Sequence, residues 1–208
     1  MVEPIFVLAS SSPARRAILK NVGLEPIVQP SNFDEYIIQV SDPVSLATTL
    51  AQCKAEIIAK EYKGKPALVL GCDSLLWLNG RVWGKPESPD NAIARWQEMR
   101  GKQGELLTGH ALVDTQTGTT LVRCGRTIVQ FANATDAEIA SYVATGEPLQ
   151  VAGCFTLDRL GGWLVEKVEG CHTNVVGLSL PLLRVMLQEL GYGIRFDGGR
   201  TRILSVKT

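Results

Sequence analysis

The chain has 208 residues, with 21 basic and 21 acidic side chains that give a formal charge of zero, 45% hydrophobic residues and 20% charged residues. This is a globular composition, and a chain of this length buries about 70% of its unfolded surface without covalent staples. Neutrality removes the whole-molecule attraction behind non-specific nucleic-acid or anionic-membrane binding, but it leaves room for a local basic pocket.

In chain order, Ile5 to Ala9 reads as a short buried strand, followed at once by Ser10-Ser11-Ser12-Pro13. Ser12 suits a helix cap and Pro13 the first helical position, while Ala14, Ile18 and Val22 recur at helical spacing before Gly23. A long helix is predicted from Pro43, with Lys54 set among the apolar positions Val44, Ala47, Leu50, Ala51, Ile57 and Ile58. Leu68 to Cys72 reads as a second short strand that delivers Asp73 at its end. Leu75 to Leu78, Asn79-Gly80 and Arg81 to Trp83 then form a hairpin with a tight turn.

Ser88-Pro89-Asp90 opens a helix whose buried face holds Ala92, Ile93, Trp96 and Met99, with Gly101 as its stop. Strands over Glu105 to Asp114 and Thr119 to Phe131 follow, turned by Gly118. Thr135 with Glu138 makes a capping box ahead of a helix that ends near Gly146. Trp163 to Val168 reads as a strand, Pro181 to Leu190 as a helix, and Ile194, Phe196, Ile203 and Leu204 as packed strands. Strands mixed with helices and tight hairpins favour a mixed sheet over a purely parallel one, in one domain or in two lobes sharing a cleft.

Five cysteines (Cys53, Cys72, Cys124, Cys154 and Cys171) are odd in number and form no CxxC pair, so free thiols are expected rather than disulfides or a zinc knuckle. His110 and His172 lack metal-ligand spacing. Apolar runs such as Ala67 to Leu70 fall far short of the roughly 20 residues that span a bilayer, and no basic region precedes a long apolar stretch. A soluble, cytoplasmic protein is expected, with no nucleic-acid or membrane partner.

Three short segments hold residues suited to chemistry. In Ser10-Ser11-Ser12-Pro13-Ala14-Arg15-Arg16, hydroxyls and free N–H groups at a helix start form an anion site, and the Arg15 fork suits phosphate. Serine caps and solvated arginines also occur without any ligand. Asp73, at a strand end, can bind a metal or activate water, or merely close a turn. Gly84-Lys85-Pro86 supplies a lysine, but Gly80 to Lys85 is not a Walker A motif: a residue is missing between the glycines and proline replaces the magnesium-binding hydroxyl.

Taken together and in order, Arg15, Glu35 in Asn32-Phe33-Asp34-Glu35, Lys54 in Cys53-Lys54-Ala55, Asp73 in Gly71-Cys72-Asp73-Ser74, Lys85 and Thr108-Gly109 form a series. With Glu147-Pro148, Ala152-Gly153-Cys154-Phe155 and Asn174-Val175-Val176-Gly177-Leu178-Ser179-Leu180-Pro181, this series resembles the Maf family of nucleoside triphosphate pyrophosphatases from about Leu8 to Leu190. The resemblance implies one α/β domain over 1–208, a mixed, twisted sheet flanked by helices in two lobes with a deep nucleotide-binding cleft. It also implies hydrolysis of the α–β phosphate bond, releasing a nucleoside monophosphate and pyrophosphate, with a divalent cation (Mg, Mn or Co). By the same resemblance Asp73 is the catalytic acid/base. Ser12, Arg15, Lys54, Lys85, Thr108 and Asp158 bind substrate, Glu35 and Asp73 lie at the metal, and the protein is a homodimer.

The sequence departs from the branch that prefers uridine and thymidine triphosphates. Ala14 replaces the first of two arginines, and Asp158 replaces a glutamine. A branch preferring an N7-methylated guanosine triphosphate is closer at Pro13-Ala14-Arg15-Arg16 and near Asp158. A carboxylate there suits a cationic purine, and Trp77, Trp83 or Trp163 would stack on it if one faces the site rather than the core. The competing expectation is a nucleotide-binding regulatory protein of septum formation that has little catalysis.

Overall fold

The computed structural model describes residues 3–206. Nine strands and six α-helices alternate through them: β1 (Ile5–Leu8), α1 (Pro13–Asn21), β2 (Ile27–Val28), α2 (Pro43–Ala59), β3 (Ala67–Leu78), β4 (Arg81–Trp83), α3 (Pro89–Met99), β5 (Gln103–Asp114), β6 (Thr119–Phe131), α4 (Asp136–Ala144), β7 (Val165–Glu169), α5 (His172–Val176), α6 (Leu180–Glu189), β8 (Tyr192–Asp197) and β9 (Arg200–Ser205). Seven strands form one sheet in the order β2-β1-β3-β5-β6-β7, with β4 paired to β3, while β8 and β9 form a separate hairpin. The sheet is mixed as expected. β1 runs parallel to β2 and β3, whereas β4 is antiparallel to β3 and β7 to β6.

Two compact units divide the chain. The first comprises Met1–Asp73, Thr108–Gly125 and Gly177–Thr208, and the second Ser74–Leu107 and Arg126–Val176. One core cluster of the first unit is small and aliphatic, built from Val7, Ala9, Ala51, Ala55, Ile58, Val69, Ala111 and Val113, while larger side chains such as Leu8, Leu19, Leu68, Leu70 and Leu112 are buried elsewhere in that unit. Its small residues let helix and sheet backbones approach closely. A Cβ on Gly71 would meet the Ala51 carbonyl, and one on Gly109 would meet the Ala47 carbonyl, so α2 lies directly on β3 and β5. The core of the second unit is aromatic. Trp96 meets Phe131 and Tyr142 edge to face at 5.7 Å, and Phe131 meets Phe155 at 5.0 Å.

Local signals account for most element boundaries. Ser12, Asp42, Ser88, Thr135 and Ser179 each cap a helix through a side-chain oxygen, four of them with proline at the helix start, and Thr135 with Glu138 forms the full capping box. Asn79 and Gly80 both have positive φ, which the two-residue β3–β4 turn requires.

Four expectations need correction. Asp73 lies inside the continuous strand β3 rather than at a strand end, because Gly71 lets that strand pass unbroken beneath α2. Trp163 belongs to a 3-10 turn over Leu160–Leu164 ahead of β7 and is 88% exposed. In α1 the buried pair is Ile18 and Leu19, while Val22 is exposed just past the helix. In the C-terminal hairpin Ile203 is buried, but Phe196 lies in the open. All five cysteines are free, although only Cys72 and Cys154 are fully buried.

Candidate active site

Within the first unit, three segments distant in sequence bring charged side chains into contact. α2 presents Lys54, β3 presents Asp73, and a 3-10 turn over Glu35–Ile37, capped by Asp34, presents Glu35. The Lys54 ammonium donates to Asp73 Oδ1 at 2.6 Å and pairs with Glu35 Oε1 at 2.7 Å. The Lys54 and Asp73 side chains are 12% and 13% exposed, so this pair is largely out of water, whereas Glu35 reaches into solvent. Burial pushes the Asp73 carboxyl above the ordinary aspartate range, against the opposing pull of Lys54 and then Arg15. The neighbouring Cys72 thiol is pushed up to about 12 by burial, which leaves it inert.

The serine-rich turn is built as a preformed anchor. Ser12 caps α1 by accepting the Arg15 N–H at 3.4 Å. The Arg15 guanidinium donates from Nε to the Gly177 carbonyl at 2.8 Å and from Nη1 to Ser10 Oγ at 3.2 Å. Arg15 therefore stands in a fixed pose, and its charge is felt at Asp73, Cys72 and His110. Thr108 is fully buried on β5, and its carbonyl meets His110 Nδ1 at 2.9 Å. Six of the sequence-derived site residues, Ser12, Arg15, Glu35, Lys54, Asp73 and Thr108, thus belong to one unit, and Glu35, Lys54 and Asp73 touch.

Lys85 and Asp158 belong to the second unit, and both are exposed. Lys85 follows the β3–β4 hairpin, whose turn at Asn79-Gly80 bears no resemblance to a phosphate loop. Asp158 lies on the loop between Phe155 and the 3-10 turn before β7, beside a shallow depression of about 700 Å³ lined by Thr145, Gly146, Glu147, Asp158, Arg159 and Leu160. Of the tryptophans, Trp83 is in the core with its indole N–H on the Leu78 carbonyl, so it does not stack on a ligand.

Sequence reasoning gave His110 no role, and it placed Ser10, Gly177 and Glu147 in motifs without foreseeing their contacts. Glu147 accepts from Thr156 Oγ1 at 2.6 Å, the Gly161 N–H at 3.0 Å, the Tyr142 hydroxyl at 3.1 Å and the Leu160 N–H at 3.3 Å. It therefore holds both ends of the loop that carries Asp158. The run of three serines was a signal for Ser10, whereas the partners of His110 and Glu147 lie too far along the chain to be read locally.

A divalent cation fits the donor set of the first unit. Glu35 and Asp73 already converge on a single positive charge, and both offer the hard oxygens that magnesium or manganese prefers. Among the described residues no group of three or more His, Cys, Asp or Glu side chains gathers to hold an ion. A cation held here would need water or a ligand's oxygens as well. No helix among the described residues is long and apolar enough to cross a membrane.

The chain was compared with known proteins. The profile described as Maf-like protein matches residues 5–190. A protein of Gloeothece citriformis named nucleoside triphosphate pyrophosphatase is 59% identical over 189 residues, which cover 91% of this chain and 95% of that one. Proteins of the same name from Thermosynechococcus vestitus and Nostoc punctiforme are 59% and 56% identical, covering 90% and 92% of this chain and 94% and 96% of theirs. With the profile matching residues 5–190 and these relatives aligned over about nine-tenths of the chain, the chain belongs to the Maf family.

Proposed function

We propose that this chain is a nucleoside triphosphate pyrophosphatase: it hydrolyses the α–β phosphate bond and releases a nucleoside monophosphate and pyrophosphate. The observation that carries the reading is the buried contact between Asp73 and Lys54, with Arg15 acting on the same carboxylate. Attack of water on phosphorus needs a base to orient the nucleophile and cations already fixed where charge develops on oxygen. Asp73 is the base. Its raised pKa brings it closer to the pH at which proton transfer is most effective, and Lys54 holds its carboxylate in one orientation.

Arg15 and Lys54 bind phosphate oxygens, with Ser12 supplying the helix start beside them. Lys85 and Asp158 are further substrate contacts, Thr108 supports the site from inside β5, and a carboxylate at Asp158 suits a modified or cationic base. Glu35 and Asp73 hold the divalent cation, Mg²⁺, Mn²⁺ or Co²⁺. When bound, that ion neutralises charge on the substrate's phosphates. The molecule acts as a homodimer.

The test is pyrophosphate release from a panel of standard and modified nucleoside triphosphates, with methylated guanosine and pyrimidines included. Monophosphate and pyrophosphate are the expected products. Orthophosphate, or no turnover with any of the three metals, would overturn the reading, and the latter would favour a binding protein of septum formation.

A further inference from the structure

Resting on the reading that Arg15 binds phosphate, we propose that His110 is a positioning residue for Arg15, acting through the turn from Gly177 to Ser179. His110 is fully buried on β5, and both of its ring nitrogens are engaged. Nδ1 lies 2.9 Å from the Thr108 carbonyl, which only accepts, so Nδ1 carries the proton. Nε2 is then a lone pair, and it accepts the Ser179 backbone N–H at 2.8 Å. The partners fix the tautomer.

Two residues before that N–H, the Gly177 carbonyl accepts Arg15 Nε at 2.8 Å. Gly177 has a φ of 127°, a backbone shape that side chains disfavour, and Leu178 between the two anchors is fully buried. Ser179 also caps α6 through the Leu182 N–H. The turn is therefore pinned on one side by an imidazole lone pair and presents its carbonyl on the other side to the guanidinium. Without that lone pair, the Ser179 N–H is a buried donor facing no acceptor from β5. The turn must then shift to regain one, and the Arg15 fork shifts with it. Burial, reinforced by the Arg15 charge, outweighs the Thr108 carbonyl and pushes the His110 pKa down to about 4, so the acceptor is present at neutral pH.

Substitutions separate an acceptor role from simple filling of space. Asn at 110 keeps a donor near Nδ1 but loses the acceptor, whereas the carbonyl of Gln reaches the position of Nε2. Steady-state pyrophosphate release on the best triphosphate, with the melting temperature followed by circular dichroism, should show His110→Asn raising KM about tenfold with a smaller change in kcat. His110→Gln should recover most of that loss. In combination with Arg15→Ala, His110→Asn should cost nothing further, because its effect passes through Arg15.

A folded His110→Gln as impaired as His110→Asn would overturn the role, and so would losses that add in the double variant. If His110→Asn does not fold, His110→Gln and His110→Met ask the same question at similar volume, and equal KM values for those two would overturn it. Wild-type protein that releases no pyrophosphate from any triphosphate would bring down the underlying reading and this role together. That failure is seen before any variant is made.

Discussion

The two units solve opposite packing problems. In the first, alanines and glycines let α2 lie against β3 and β5 with nothing between the backbones, and this close approach sets Lys54 beside Asp73. In the second, Trp96, Phe131, Tyr142 and Phe155 interlock edge to face at the centre of a core of large side chains. The close approach beside Lys54 and Asp73 depends on the small residues, whereas the second unit's cluster depends on large interlocked rings.

The largest break in this comparison comes from Asp73→Asn, which should lower turnover by about 10²–10⁴-fold or more while nucleotide binding persists. Binding lost together with turnover, in a protein still folded by circular dichroism, would assign Asp73 to ligand or metal instead. The same variant probes stability with a definite sign. The folded state holds the Asp73 proton more tightly than the unfolded state does, so wild-type stability relative to Asp73→Asn should fall as pH rises from the ordinary aspartate range through the raised folded value, and level off above it. Denaturant melts at several pH values would read this, and a difference that grows with pH would contradict the burial of a charged carboxylate.

Next in size, Trp96→Ala should cost about 3–5 kcal/mol of stability through the cavity it leaves, yet spare kcat at a temperature where the protein remains folded. Gly109→Ala should cost less, about 1–3 kcal/mol, but reduce kcat disproportionately because α2 and Lys54 must back away from the sheet. Equal activity losses for the two, once corrected for stability, would erase the distinction between the units. The smallest contrast compares two identical caps. Ser12→Ala and Ser88→Ala should each cost about 1 kcal/mol in thermal melts, and only Ser12→Ala should raise KM.

Legibility in the sequence followed the range of the interaction. Ser12-Pro13, Ser88-Pro89, Thr135 with Glu138, and Asn79-Gly80 carry their structural instruction within four residues, and each was readable. The mixed sheet followed from the same signals. The apolar run from Leu68 stops at Cys72, which by itself puts Asp73 at a strand end. Only the helix lying on Gly71 explains why the strand continues. Trp163 likewise lies outside a strand, since Gly161 and Gly162 allow a 3-10 turn tied down by Glu147.

At the site, Arg15, Glu35, Lys54 and Asp73 were nameable from their motifs, but their contacts were not. The acceptor that fixes Arg15 lies 162 residues away, and the N–H bonded to His110 lies 69 residues away. No periodicity or local motif encodes such a pairing.

The order in which the first unit is assembled has a consequence for synthesis. Its three stretches are separated by the two that make up the second unit, and the carbonyl that seats Arg15 belongs to the last of them. During translation the second unit has all of its residues at Val176, and Gly177, the acceptor for Arg15, is the next residue added. Contacts spanning most of the chain are slow to form because the loop must close before they are rewarded. A nascent chain therefore cannot seat the Arg15 guanidinium until Gly177 has been added and a loop of 162 residues has closed, so the capacity to grip a polyanion waits on that closure.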